Sequence, residues 1–180
     1  EPLLRRALEI HLKSPGDNLD LGFCYSALAL NLGGQKRHAE AESLHRLAST
    51  TWAKGLGIEH PEVATSNNNL ALNLHRQGKY AEAEELYRRV LAIRLKTLGN
   101  DHPATATTYN DLAWSLDFQG KFDDALLMWR KAVEIEARAR LKEVKGLESG
   151  VLANASPLPS LAIALARAGE SHQAWTNWEQ

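Results

Sequence analysis

The chain has 180 residues, and its content of 44% hydrophobic and 24% charged residues is typical of a folded globular protein, which excludes a disordered chain. Its 21 basic and 22 acidic residues leave a formal net charge of -1, so no overall field would attract nucleic acid or an anionic membrane surface. The single cysteine, Cys24, excludes an internal disulfide and favours a reducing compartment such as the cytoplasm, and no apolar run approaches the roughly 20 residues of a membrane-spanning helix.

The helices predicted along the chain come in pairs. Residues 1–13 form a single helix that reads as the second half of a repeat, so we expect the chain to be an excised fragment. The pairs that follow form one array, at 19–35 with 38–55 (repeat 1, 19–55), 61–77 with 80–97 (repeat 2, 61–97), 103–119 with 122–143 (repeat 3, 103–143), and 157–168 with 171–180 (a truncated repeat 4, 157–180). Apolar residues recur three and four positions apart and never alternate over a long run, which predicts an all-α fold.

The repeats become visible when the chain is shifted against itself by 42 residues. Residues 72–88, LNLHRQGKYAEAEELYR, then lie over residues 30–46 and over residues 114–130. The fourth repeat follows the third at a shift of 49, with the additional residues in the connection before it. Such self-similarity is the signature of a repeat architecture.

Proline and glycine mark the predicted helix boundaries. Pro61 and Pro103 suit the first turn of a helix, whereas Gly78 and Gly120 end the first helix of a repeat and Gly99 suits a left-handed cap after the second. Each repeat is therefore predicted to be two antiparallel helices.

Two positions in each repeat hold alanine and two hold larger side chains. The alanines should let paired helices approach closely; they are Ala29, Ala71, Ala113 and Ala162 in first helices, and Ala41, Ala83, Ala125 and Ala174 in second helices. The larger residues should pack around them; they are Leu28, Leu70, Leu112 and Leu161, and His45, Tyr87, Trp129 and Trp178. Because one pair cannot bury this face alone, neighbouring pairs must stack into a superhelix with a concave side.

This pattern resembles the tetratricopeptide repeat. Residues 70–91 carry its spacing of leucine, alanine, glycine and tyrosine, and the 42-residue period with HPEVATSNNNLA and QGKYAEAEELYRRVLAIR is similar to the kinesin light chain subclass. The resemblance implies a right-handed superhelical solenoid of antiparallel helix pairs. Repeat 1 departs from the pattern at Lys36, where glycine is usual, and at Gly33 and Gly34, so its first helix is expected to be frayed or kinked at the end.

The resemblance also implies that first helices line a concave groove that binds peptides. The positions that face the groove in the family correspond here to Phe23, Ser26, Leu30, Thr65, Asn68, Leu72, His75, Arg76, Thr107, Asn110, Trp114, Asp117, Phe118, Ile163 and Arg167. The apolar members form a floor suited to an extended or helical segment with apolar or aromatic side chains. Trp114, Phe118 and Arg76 are the expected anchors, because aromatic residues and arginine are enriched among binding hot spots.

Some of these positions have an equally plain structural interpretation. Asn68 and Asn110 would either grip a peptide backbone through their amides or bond to the backbone of a neighbouring repeat. Leu30 and Leu72 would either contact a partner or pack between repeats. Arg76 and Arg167 are the only strong cations mapped to the groove, so the lysine-rich clamp for C-terminal carboxylates is not matched.

Nothing in the sequence predicts catalysis, a metal site or a cofactor. His60 and His102 recur in loops one period apart, which favours a loop-fixing role, and His38 and His45 stand at packing positions. Acidic residues begin second helices, where negative charge suits the helix dipole; they are Glu82, Glu84, Glu85, Asp123 and Asp124. No nucleophile motif or phosphate-binding loop is present in the sequence.

The sequence therefore predicts a non-catalytic scaffold that binds a protein or peptide segment, and neither nucleic acid nor a membrane. An alternative is a regulatory or structural segment of a larger protein, with the groove filled in cis. Residues 174–179, AWTNWE, resemble the helix that precedes a caspase-like CHAT protease domain in bacterial tetratricopeptide proteins. Terminal repeat faces without a polar cap would also permit self-association.

Overall fold

The structure is a computed structural model that describes residues 1–13 and 18–146. The described residues form seven helices and no strand: α1 Pro2–Lys13, α2 Asn18–Gly34, α3 His38–Leu56, α4 Pro61–Arg76, α5 Tyr80–Thr97, α6 Pro103–Asp117 and α7 Phe122–Gly146. The chain divides into two compact units, Glu1–Ile93 and Arg94–Gln180.

The helices lie where the sequence predicts them, with every end within three residues of its expected position. The all-α fold is therefore confirmed for the described part of the chain. Repeat 4 lies outside the described residues, and the division of the chain into repeats stays a prediction. No helix in the described ranges is both long and apolar enough to cross a bilayer.

Histidine and proline begin α4 and α6. The side-chain Nδ1 of His60 accepts a hydrogen bond from the amide of Glu62 at 3.2 Å, and that of His102 accepts one from Ala104 at 3.1 Å. A proline follows each histidine in the first turn, where its missing N–H costs nothing. The loop-fixing role predicted for these two histidines is thus confirmed as helix N-capping.

The three first helices end in the same hydrogen-bonded turn. The amides of Arg37, Lys79 and Lys121 each donate to the carbonyl of a leucine five residues back, at 3.0 Å. The preceding residue has a positive φ, which is 77° at both Gly78 and Gly120 but falls on Lys36, at 64°, in the first of these turns. Helix α2 nevertheless continues through Gly34, so the departure from the family pattern strains one lysine and does not shorten the helix.

The small and large positions of the repeat pattern form the core. The alanines at 29, 71, 113, 41, 83 and 125 are fully buried, and so are the larger residues Leu28, Leu70, Leu112, His45, Tyr87 and Trp129. The packing prediction is confirmed at these positions, and the expected core role of His45 is confirmed with it. The corresponding residues of repeat 4 lie outside the described ranges.

In the first unit the core is built layer by layer from α1 to α4. Leu4 and Leu8 of α1 pack against the cluster around Leu28 of α2. Trp52 of α3 is buried beside Val63 of α4. Each helix therefore covers the apolar face of the next, as stacked repeats require.

A polar network joins α3 to α4 in the same unit. The amide nitrogen of Gln77 donates to Asn73 Oδ1 at 2.8 Å and to Glu42 Oε2 at 3.0 Å. Asn73 is only 4% exposed, and its own amide nitrogen lies 3.5 Å from Nδ1 of His38. These contacts satisfy polar groups that would otherwise be buried without partners.

Glu42 is the charged member of this network. Burial opposes its ionisation, but hydrogen bonds from Lys79, Arg46 and Gln77 outweigh that effect and lower its pKa to about 2. The ion pairs to Lys79 and Arg46 measure 2.8 and 2.9 Å. The carboxylate thus remains ionised at neutral pH and links the turn after α4 to α3.

In the second unit an arginine ties the end of α5 to α6. Arg94 Nη1 donates to the carbonyl oxygen of Ala104 at 2.8 Å and to Oγ1 of Thr108 at 2.6 Å. Burial lowers the pKa of this guanidinium, and the charge of Asp111 opposes that shift. The first turn of α6 is thereby held in place from outside the helix.

Candidate partner-binding faces

In the first unit, α2 carries two large apolar side chains that remain accessible. Phe23 and Leu30 are 57% and 54% exposed, and their spacing of seven residues places them on one face of the helix. The ring of Phe23 stands edge-on to Trp52, with centroids 5.3 Å apart. Ser26 lies between them along this face and is half-buried. We call this surface the α2 face.

Helix α4 contacts α2 and carries the next set of predicted residues. Thr65 and Arg76 are exposed, whereas Asn68, Leu72 and His75 are half-buried. Burial and the nearby charge of Arg76 lower the pKa of His75, whose ring stands edge-on to Tyr80 at 5.0 Å. The residues on α4 are therefore a mixture of accessible and packed side chains.

In the second unit, α6 carries an aromatic pair. Phe118, next to the end of the helix, is 55% exposed, and its ring centroid lies 6.3 Å from that of Trp114. Trp114 is half-buried because its ring stands edge-on to the buried Trp129, with centroids 5.1 Å apart. We call the surface around Trp114 and Phe118 the α6 face.

Two polar residues accompany this aromatic pair. Thr107 is exposed and donates its hydroxyl hydrogen bond to the carbonyl of Pro103 at 3.1 Å. Asn110 is half-buried, and its side-chain oxygen is enclosed with no donor among the described residues. Asn110 has spare capacity to accept a hydrogen bond, which agrees with either interpretation of this position.

Asp117 differs from the sequence-based expectation. The sequence places it on the open face, but the structure leaves it only 7% exposed. It lies in the last turn of α6, and the amide of Gly120 donates to its carbonyl at 2.9 Å. Asp117 is therefore removed from the accessible set, whereas its neighbour Phe118 stays in it.

Ile163 and Arg167 lie outside the described residues, and so does the segment 174–179 that resembles a pre-protease helix. Among the described residues, no three histidine, cysteine, aspartate or glutamate side chains come together in a way that would hold a metal ion.

Sequence reasoning missed two features of the second unit. Phe122, the first residue of α7, is 53% exposed and adds to the apolar surface of the hairpin. Tyr109 faces a cleft beside α7, where the previous repeat has Asn67 at the same position. The exchange of an asparagine for a tyrosine at one register position was the available signal for this cleft.

The chain matches the model of one protein family and several solved structures. The tetratricopeptide repeat model matches twice, over residues 25–96 and 62–138, which together exceed half of the chain. No curated protein sequence matches this chain significantly.

The solved structures it resembles are repeat proteins. BtubC (BKLC) from P. vanneervenii superposes with a TM-score of 0.73 at 24% identity, over 99% of this chain and 66% of that one, a likeness that shows the fold alone. A kinesin light chain-type protein of Podosopora anserina with nearly identical TPR-like repeats superposes with a TM-score of 0.80 at 26% identity, over 99% of this chain and 82% of that one. A single-residue variant of that protein gives 0.75 at 27%, over 93% and 75%.

The repeated helix pairs, the buried alanine positions and these matches agree on one assignment. The chain belongs to the tetratricopeptide repeat family, in its kinesin light chain-like branch.

Proposed function

We propose that this chain is a non-catalytic scaffold that binds a peptide or a segment of a partner protein on the faces of its first helices. Tetratricopeptide repeats generally mediate protein–protein interactions, and the chain shares that fold. The proposed setting is the cytoplasm, in keeping with a single cysteine, and the proposed partner is neither nucleic acid nor a membrane.

One observation carries the proposal: Phe23 and Leu30 are both more than half exposed on one face of α2. Exposing two large apolar side chains on one helix face costs free energy in water, and burying them against a partner recovers it. The α6 face supplies a second such surface in its own unit, through Phe118 and the half-buried Trp114. A segment with apolar or aromatic side chains suits both surfaces.

The polar residues beside these surfaces supply direction and main-chain contacts. Arg76 is exposed on α4, the helix that contacts α2. Asn110 lies one helical turn before Trp114 on α6, and its enclosed side-chain oxygen has unused capacity to accept a hydrogen bond.

The experiment is a selection of peptides from a random display library on the wild-type chain, followed by binding measurements on matched variants. Leu30→Asp removes the α2 face, and Leu47→Asp is its control, because Leu47 is 45% exposed on the second helix of the same repeat. Phe118→Asp and Leu127→Asp form the corresponding pair in the second unit, Leu127 being 49% exposed on α7.

We expect the enriched peptides to carry apolar or aromatic residues and to bind a first-helix variant at least about tenfold more weakly than its control. Equal binding by a variant and its control would show that the substituted face does not bind the peptide. Peptides that resemble a segment of the protein's own longer chain would instead support the alternative, in which a larger protein such as a CHAT protease fills the groove in cis.

A further inference from the structure

A cleft of about 200 Å³ lies in the second unit, away from the α6 face. Its lining consists of Asn100, Tyr109, Lys131, Glu134, Ile135 and Arg138. Four of the six come from α7, and none belongs to the predicted peptide-binding set. The cleft is therefore lined by other residues than the proposed peptide-binding faces.

Tyr109 is the buried member of this lining. It is only 8% exposed, and its side chain lines the cleft. At the same position of the previous repeat, Asn67 accepts a hydrogen bond from Ser49 at 2.6 Å and is thus satisfied internally. Burial raises the pKa of Tyr109, so its phenol stays protonated and acts as a donor at neutral pH.

The charges around the cleft are not equivalent. Arg138 is engaged by Glu134 and by Asp101, whose Oδ1 lies 3.1 Å from Nη1. Lys131 has no ion pair within the described part of the chain, and its ammonium lies 5.4 Å from the centre of the Tyr109 ring. The Lys131 ammonium therefore stands beside the buried phenol, while the Glu134 carboxylate of the same lining is paired with Arg138.

We propose that this cleft binds a single oxyanion, either a carboxylate or a phosphate group, through the Lys131 ammonium and the Tyr109 hydroxyl. Both groups donate hydrogen bonds, the amide of Asn100 supplies a further donor, and an oxyanion accepts from all three. Glu134 and Arg138, which also line the cleft, are paired with each other, so the charge of Lys131 can interact with the bound oxyanion.

The test is a titration of the isotope-labelled chain with inorganic phosphate and, separately, with acetate at constant ionic strength, followed by the backbone amide shifts of Tyr109 and Lys131 in NMR spectra. Lys131→Gln removes the charge, Lys131→Arg keeps it, and Tyr109→Phe removes only the hydroxyl. Arg89→Gln is the control, because Arg89 occupies the position of Lys131 in the previous repeat.

We expect saturable shifts at Tyr109 in the wild type, and an apparent Kd that rises by about tenfold in Lys131→Gln and by a smaller factor in Tyr109→Phe. Lys131→Arg and Arg89→Gln should bind as the wild type does. Saturation by phosphate alone would identify a phosphate site, and saturation by both probes a general oxyanion site. No saturable shift with either probe, or equal binding by Lys131→Gln and the wild type, would overturn the proposal.

Discussion

The indole of Trp52 lies so close to the backbone of Gly22 that a Cβ at position 22 would stand 2.4 Å from Nε1. Trp52 is buried in the core of the first unit, so its ring has little room to move away. We predict that Gly22→Ala lowers the free energy of unfolding by about 1–3 kcal/mol through overpacking. Urea unfolding followed by far-UV circular dichroism measures the effect.

Gly34→Ala is the matched control for this substitution. Gly34 lies in the same helix, and a Cβ there would meet no atom within 4 Å. Because alanine favours a helix over glycine, the control should be neutral or stabilise by up to about 1 kcal/mol. A Gly22→Ala protein as stable as the Gly34→Ala protein would show that the indole moves without cost.

Lys36 and Gly78 occupy the same turn position in consecutive repeats, with φ values of 64° and 77°. A side chain at such a φ is strained by about 1–2 kcal/mol, although glycine also loses more entropy on folding. We predict that Lys36→Gly stabilises the protein by about 0.5–1 kcal/mol and that Gly78→Lys destabilises it by about 1 kcal/mol. The midpoints of thermal unfolding should therefore move in opposite directions.

Stability should fall as the pH drops from about 6.5 to 4, because of His45. This histidine is 2% exposed, its Nδ1 has no partner among the described residues, and burial lowers its pKa from 6.5 to about 4. The unfolded chain thus binds the proton more tightly, so stability is complete above about pH 6.5 and the loss is complete near pH 4. The total amounts to about 3 kcal/mol.

His45→Tyr introduces the residue that the next repeat has at this position, Tyr87. The substitution should reduce the dependence of the unfolding free energy on pH between about 6.5 and 4. Chemical unfolding at pH 7.0 and at about pH 5 compares the two proteins. His75, whose pKa burial also lowers, contributes to the slope in both proteins, and Glu42 contributes only below its ordinary pKa of 4.5. An unchanged slope in His45→Tyr would mean that His45 is not the group responsible.

Gln77→Ala should destabilise the first unit by about 1–2 kcal/mol, because it leaves the buried Asn73 Oδ1 without the hydrogen bond it receives at 2.8 Å. Gln35 occupies the same position one repeat earlier, but its side-chain partners are the exposed Asn31, at 2.8 Å, and the carboxylate of Glu1 rather than a buried amide. Gln35→Ala should therefore change stability by less than about 0.5 kcal/mol. Equal effects of the two substitutions in urea unfolding would contradict the role given to the polar network.

Alanine substitutions at Trp114 and Phe118 should distinguish an effect on stability from an effect on partner binding. Trp114 contacts the buried Trp129, so Trp114→Ala is expected to lower the free energy of unfolding by about 2–3 kcal/mol and also to weaken the binding of any partner. Phe118 is 55% exposed, and Phe118→Ala should cost less than about 1 kcal/mol. Thermal unfolding of the two variants tests this difference, which makes Phe118 the better probe of partner binding.

Local chemistry explains why the helices were predictable from the sequence. His60 caps α4 by accepting a hydrogen bond from the amide of Glu62, and Gly78 adopts the positive φ that the turn after α4 requires. Both effects depend only on residues close by in the sequence. The buried positions were predictable for a related reason: Ala71 and Ala113 recur at one register, and each meets the same kind of helix neighbour. Because each repeat presents the same small and large residues to its neighbour, stacking the repeats produces a continuous core.

The accessibility of individual side chains was decided only in the folded chain. The period and the family resemblance placed both Asp117 and Phe118 in the groove, but in the folded chain the first is buried and the second is more than half exposed. Burial depends on what the rest of the fold sets against a residue, and residues distant in sequence supply that surface. The contact of Trp52 with Gly22 and the cleft at Tyr109 arise in the same way, from side chains of separate helices, and no periodicity along the chain specifies them.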